Sequence, residues 1–289
     1  MASPRAHERL FWRKLAHWGA TRGPTWWVRY SPPLFGWAAA ALVPSARKAV
    51  RRNLRQIRGE AAPLRDAREV LATFGAYASC LAEVLSNDAP GGPPRSSARI
   101  HGELWMRRAL AEKKGVILVT IHSAGWETAG PLFARHLDLR LLIVMEPEPD
   151  ERARELHDHA REVAGVKVAH VGADPMSSIH LFQHLRSGGA VALQLDRAVR
   201  GMKTRRVRLF GVEADMPEGP LRLAQVSGAP IVPVFCARQG FRDYLIEALP
   251  AVHVDRHATD GDLDRTAQGL AEGVERFLQR HPTQWFNFH

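Results

Sequence analysis

Short, continuous apolar runs recur through the later two-thirds of the chain: Val116–Ile121, Leu139–Met145, Val166–Val171, Ala190–Leu195 and Ile231–Ala237. Each is too short for a helix and rich in branched residues, which predicts strands buried on both faces. Between them the apolar positions switch to helical spacing, predicting helices over 126–137, 149–164 and 175–186, another from near Pro217, and a closing one over 262–280. Crossovers of this length join parallel neighbours. The pattern therefore predicts an α/β fold with a mostly parallel central sheet flanked by helices.

The first part of the chain reads differently. Residues 5–20 and 45–58 have the pattern of basic amphipathic helices, and 64–86 that of a third helix with Leu64, Val70, Phe74, Tyr77 and Leu81 on one side. A loop rich in Pro, Gly and Ser follows over 87–97, dividing a helical region, 1–90, from a catalytic domain, 91–289.

Charge sharpens that division. The net charge is +10, and residues 1–60 hold twelve Lys or Arg against Glu8 and Glu60, leaving the rest balanced at 28 of each sign. The same stretch carries Trp12, Trp18, Trp26, Trp27 and Trp37, five of the eight tryptophans. Tryptophan mixed with cations suits a bilayer interface, rings at headgroup depth and charges towards phosphate. The most apolar run, Leu34–Val43, stops at Pro44, well short of the roughly 20 residues a spanning helix needs. The expectation is a peripheral or monotopic protein on an anionic membrane surface. Two cysteines, Cys80 and Cys236, fit a reducing compartment, hence the cytoplasmic face.

Candidate chemistry lies where the first strand ends. Val116–Ile121 runs into His122-Ser123-Ala124-Gly125-Trp126-Glu127, at the carboxyl end of a parallel strand, where such sheets place reactive groups. Gly125 permits a tight turn, so Glu127 can fold back towards His122. A carboxylate on one imidazole nitrogen fixes the tautomer and leaves the other nitrogen to take a proton from an attacking hydroxyl. A structural His–Glu pair fits the same residues. No metal site is expected: His157 and His159, two apart on a predicted helix, point to different sides.

Further motifs follow in order. Gln194-Leu195-Asp196-Arg197 closes a strand, Phe210-Gly211 leads to Pro217-Glu218-Gly219-Pro220, and Pro230-Ile231-Val232-Pro233-Val234 is a strand between prolines. With the His122 block these resemble the four sequence blocks of the glycerolipid acyltransferases. The likeness is strongest to the bacterial lipid A lauroyl/myristoyl and phosphatidylinositol mannoside acyltransferases, and it covers roughly residues 20–289. Phe210-Gly211 and the closing Pro282-Thr283-Gln284-Trp285-Phe286 share it. It implies an O-acyltransferase that moves a long acyl group from acyl carrier protein or acyl-CoA to a membrane-lipid hydroxyl, with no cofactor. It implies His122 as general base and Glu127 as its orienting partner. Gly125, Trp126, Asp196, Arg197, Arg200, Glu218 and Gly219 become the candidate substrate-binding residues. Gly125 stands where that branch often has Asn, and the run after Gln194 is more basic than usual, which leaves the acceptor open beyond lipid A.

Two other readings remain. An idle lipid-binding member of the same fold would lack catalysis, against which stands the retention of His122 and Glu127. A nucleic-acid-binding protein is suggested by the basic end, but no binding module appears, and the apolar run beside that end suits lipid better.

Overall fold

The structure, a computed structural model, describes residues 16–89, 92, 95–145, 167–170, 176–198 and 201–288. A helix over 16–22 (α1) is followed by α2 (Thr25–Tyr30), α3 (Pro32–Leu42), α4 (Pro44–Arg58) and α5 (Pro63–Leu85). Strands and helices then alternate as β1 (Ser97–His101), α6 (Glu103–Ala111), β2 (Val116–Thr120), α7 (Trp126–His136) and β3 (Leu141–Met145). Next come β4 (Lys167–His170), α8 (Met176–Arg186), β5 (Ala190–Gln194) and a hairpin of β6 (Thr204–Leu209) and β7 (Val212–Pro217). The chain closes with α9 (Gly219–Ser227), β8 (Ile231–Gly240), β9 (Asp243–Ala248) and α10 (Asp260–Arg280). The predicted helix over 149–164 lies outside the described residues.

The main sheet has the order β1-β9-β8-β2-β5-β3-β4. All adjacent pairs are parallel except β8 with β9, so the expected mostly parallel α/β sheet is what the chain forms. β2 is buried on both faces. Ile117 and Val119 join a core with Leu263, Leu270, Val274 and Phe277 of α10, whereas Val116 and Leu118 join one with Met106 of α6 and Phe133 of α7. Alternation along a strand sends successive side chains to opposite layers, which explains why a continuous apolar run was the legible signal.

Three features escaped the pattern. β1 and β9 alternate partly exposed with less exposed positions, and neither is an unbroken apolar run. The β6–β7 hairpin carries Arg205, Arg206 and Arg208, so no apolar run marks its first strand. Its inward residues are Val207, Leu209 and Met216, and Phe210-Gly211, both with positive φ, make the two-residue turn.

α3 packs along α5 so closely that a Cβ on Gly36 would stand 2.4 Å from the Phe74 carbonyl oxygen. α4 turns Val50, Leu54 and Ile57 inward and shares an apolar cluster with Val70 and Phe74 of α5, joined by Phe288. Its basic residues are partly engaged: Arg51 and Arg58 both bond Asp66, and Arg47 donates to the Ala40 carbonyl at the end of α3. Among the described residues no helix is long and apolar enough to cross a membrane.

The join between α5 and the sheet is polar and buried. Glu83, with no exposed surface, accepts from Arg238 Nε at 2.9 Å and Nη2 at 2.7 Å, and from the Tyr244 hydroxyl. Arg242 donates to the Glu83 carbonyl oxygen and to Ser86 Oγ. Removing one partner of such a pair strands the other charge. Glu83→Ala is expected to lower unfolding free energy by about 3–5 kcal/mol, read from urea denaturation, with Glu83→Gln losing less.

Candidate active site

β2 and β5 run parallel with Thr120 opposite Gln194. The Leu195 amide donates to the Thr120 carbonyl at 2.9 Å, continuing that register. Two residues on, His122 therefore meets Asp196. Its Nδ1 lies 2.9 Å from Asp196 Oδ1, and its backbone amide donates to the same carboxylate at 3.1 and 3.2 Å. Trp285 Nε1 donates to Asp196 Oδ2 at 2.8 Å. Burial opposes the Asp196 charge, but the bonds from His122 and Trp285 outweigh it and hold the carboxyl below the usual carboxylate range. A carboxylate kept charged at Nδ1 places the ring proton there, so Nε2 is the nitrogen left to accept one. The imidazole is partly exposed and its partner almost fully buried, so the pair opens to solvent only on the histidine side.

The sequence reading gives the orienting role to Glu127, in the first turn of α7, and the structure adds a carboxylate that the reading did not pair with the ring, Asp196 at Nδ1. The reason is register, which brings the residue at the end of the neighbouring strand directly to the ring. The Glu127 carboxylate lies close enough to the Cys80 thiol to raise that thiol's pKa, which burial has already pushed up.

The turn between β2 and α7 is clamped by the chain's closing segment. Ala124 N donates to the Gln284 carbonyl, Phe286 N donates to the His122 carbonyl at 2.7 Å, and Ser123 bridges Trp285. Gln284 is itself held by both backbone groups of Arg238. Gly125 adopts φ +89°, and a Cβ there would fall 2.4 Å from the buried Tyr244 ring. Tyr244 thus fills the space that a side chain at 125 would need.

An apolar cavity of about 50 Å³ opens beside the turn, lined by Trp126, Phe133, Leu118, Ile143 and Val234 among others, with Thr120 and Gln194 as its polar members. It lies in the layer between α7 and the sheet.

The family model described as bacterial lipid A biosynthesis acyltransferase matches residues 9–289. The chain belongs to that family. It is 28% identical over 179 residues to the phosphatidylinositol mannoside acyltransferase of Mycobacterium tuberculosis, covering 61% of this chain and 54% of the relative. The protein of that name from Mycolicibacterium smegmatis is 25% identical over 184 residues, covering 63% of this chain and 57% of the relative. The chain thus spans about half the length of those relatives. The crystal structure of the 1-acyl-sn-glycerophosphate acyltransferase PlsC from Thermotoga maritima aligns over 85% of this chain and 95% of that one, at 10% identity and a TM-score of 0.40.

Of the residues singled out from the sequence, His122, Gly125, Trp126, Glu127, Asp196 and Arg197 gather at this end of β2 and β5. Arg197 is half-buried, donates through Nη2 to the Phe286 carbonyl, and leaves its buried Nε without a partner. Desolvation lowers its pKa although Asp196 pulls the other way. Gly219 opens α9. The carboxylate of Glu218 before it is taken by Arg205 at 3.0 Å and by Arg222. Asp260 and Asp264 complete that ion cluster around Arg205, tying the hairpin to α9 and α10. Arg200, His157 and His159 lie outside the described residues.

The family reading of the sequence missed Trp285 and Gln284 as parts of the site. Their signal was present in the closing Gln-Trp-Phe, but no spacing rule connects it to His122. Gly125→Ala, forced against the Tyr244 ring, should cost about 1–3 kcal/mol as overpacking. Combining it with Tyr244→Leu should return part of that loss in thermal denaturation, whereas two independent effects would simply add.

Proposed function

We propose that this chain is an O-acyltransferase that moves a long acyl group from an acyl thioester to a hydroxyl of a membrane lipid. The observation that carries the reading is the His122–Asp196 pair, two residues beyond Thr120 and Gln194, which line an apolar cavity. His122 Nε2 takes the proton of the acceptor hydroxyl as its oxygen attacks the thioester carbonyl carbon. Asp196 stabilises the imidazolium that results, and the same proton then goes to the departing thiolate. No protein nucleophile is needed. Glu127 acts as the second carboxylate of the turn and Gly125 as its pivot. Arg197, with Arg200 three residues on in the sequence, would bind an anionic group of donor or acceptor, since a half-buried guanidinium is suited to phosphate. The Gly219 amide at the start of α9 would serve the same end.

The donor is acyl carrier protein or acyl-CoA, and the acceptor a glycolipid, lipid A-like lipid or lysophospholipid. Trp126 would line the entrance for the acyl chain. A cavity of about 50 Å³ compares with the roughly 30 Å³ that one water occupies in the liquid, so a long chain enters only as α7 yields.

The helical region is the proposed membrane seat. Trp18, Trp26, Tyr30, Leu34, Phe35 and Leu42 are exposed. Trp18, Trp26, Trp27 and Phe35 line an apolar groove of about 650 Å³ that includes Arg22. Exposed aromatics beside cations are the interfacial mixture, and the anionic cytoplasmic leaflet is the surface they match.

The test is lipid mass spectrometry of cells lacking the chain, restored with the native form, His122→Ala or Asp196→Asn. One lipid should lose an acyl chain in the deletion and regain it only with the native form. Purified His122→Ala and Asp196→Asn should each lower transfer by about 10³–10⁴-fold. Full activity in His122→Ala would end the mechanism. An unchanged lipidome would favour an idle lipid-binding protein. In a separate assay, Trp18→Ser, Trp26→Ser and Phe35→Ser together should cut sedimentation with anionic vesicles at least tenfold, and unchanged binding would remove the membrane seat.

A further inference from the structure

Acyl transfer places negative charge on the carbonyl oxygen, and that oxygen needs fixed donors. Backbone amides are the usual source, and those that open this turn are taken up within the protein. His122 N donates to Asp196, Ser123 N to the Ile121 carbonyl at 2.7 Å, and Ala124 N to the Gln284 carbonyl at 3.1 Å. Trp126 N reaches the Ser123 carbonyl only at 3.5 Å. The amides of residues 122 to 124 are therefore all committed within the protein.

Arg197 Nε, next to Asp196, has no partner but does not line the cavity; two other unpartnered side chains do. Thr120 Oγ1 and Gln194 Nε2 are buried and have no hydrogen-bond partner. They are cross-strand partners on β2 and β5, two residues before His122 and Asp196 respectively. The period of two in a strand points each to the same side of the sheet as the member of the pair that follows it. Both line the cavity, whose other lining residues are apolar, Trp126 and Cys236 included. Ser123 Oγ and Thr128 Oγ1 are also unpartnered but do not line it. A buried polar group without a partner is destabilising, because it gives up its bonds to water and gains none. Two of them, in register below the histidine, are a cost that bound substrate would relieve.

We infer that Thr120 Oγ–H and Gln194 Nε2–H are the oxyanion donors, holding the carbonyl oxygen of the transferred acyl group at the neck between the His122–Asp196 pair and the apolar cavity. The inference rests on the acyltransferase reading above. The acceptor oxygen bonds to the carbonyl carbon as its proton passes to His122 Nε2, and the carbonyl π pair moves onto the oxygen facing Thr120 and Gln194. Collapse restores that π bond and breaks the carbon–sulfur bond. The thiolate leaves with the proton from Nε2, so His122 ends as it began.

The experiment uses the full chain purified as native, Thr120→Val, Thr120→Ser, Gln194→Leu and His122→Ala forms. Each is assayed with labelled palmitoyl-CoA and palmitoyl-acyl carrier protein on lipid extracted from cells lacking the chain. Thr120→Val and Gln194→Leu should each lower kcat by about 10²–10³-fold, with KM for the thioester within about twofold and Thr120→Ser close to native. Their melting temperatures should hold or rise, because each replaces an unsatisfied polar group by an apolar one of similar shape. Native kcat in either variant, a rise confined to KM, or a fall in melting temperature in step with activity would each overturn the assignment. His122→Ala separates the two levels: if it stays active, the acyltransferase mechanism itself fails. If it is inactive while Thr120→Val and Gln194→Leu are not, only the donors have been misassigned.

Discussion

The parallel pairing of β2 with β5 is the constraint from which the rest of the site follows. Because the two strands are in register at Thr120 and Gln194, the residues just past their ends are brought face to face without any long loop. His122 and Asp196 inherit their spacing from the sheet, and a slip of one residue would turn one of them to the opposite layer. The site can thus be exact while the surrounding turn is irregular. Trp285 and the His122 amide then complete the shell around the carboxylate, keeping it charged despite its burial.

The sheet and His122 were legible in the sequence for the same reason. Strands buried on both faces produce unbroken apolar runs, and a histidine directly after such a run stands out. Strands that are half exposed, such as Asp243–Ala248, carry no such run, and the Thr204–Leu209 strand hides its two apolar residues among arginines. Local sequence favours near neighbours, and so it points to Glu127, five residues away, and not to the carboxylate that the sheet adds at Nδ1, Asp196, seventy-four away. Only the strand order reveals which is opposite. The role of Trp285 was beyond reach for the same reason.

The basic helical region illustrates a different limit. Counting charges treats every cation as available to a partner, yet Arg51 and Arg58 are spent within the fold on Asp66, and Arg47 closes the end of α3. Aromatic exposure is the more discriminating sign there. Trp18, Trp26 and Phe35 remain more than half exposed, an arrangement that the fold alone does not require.

The clamp on the turn after β2 bears on how the molecule folds. His122, Asp196 and Trp285 are drawn from three distant parts of the chain, so their encounter closes long loops and belongs to a high-contact-order topology. Helices such as α5 can form from local contacts, whereas the pair and its indole cannot. A chain collapsed around its local structure would hold the apolar strands together before it brought His122, Asp196 and Trp285 into contact. That three-way contact is in this sense the last feature acquired on folding.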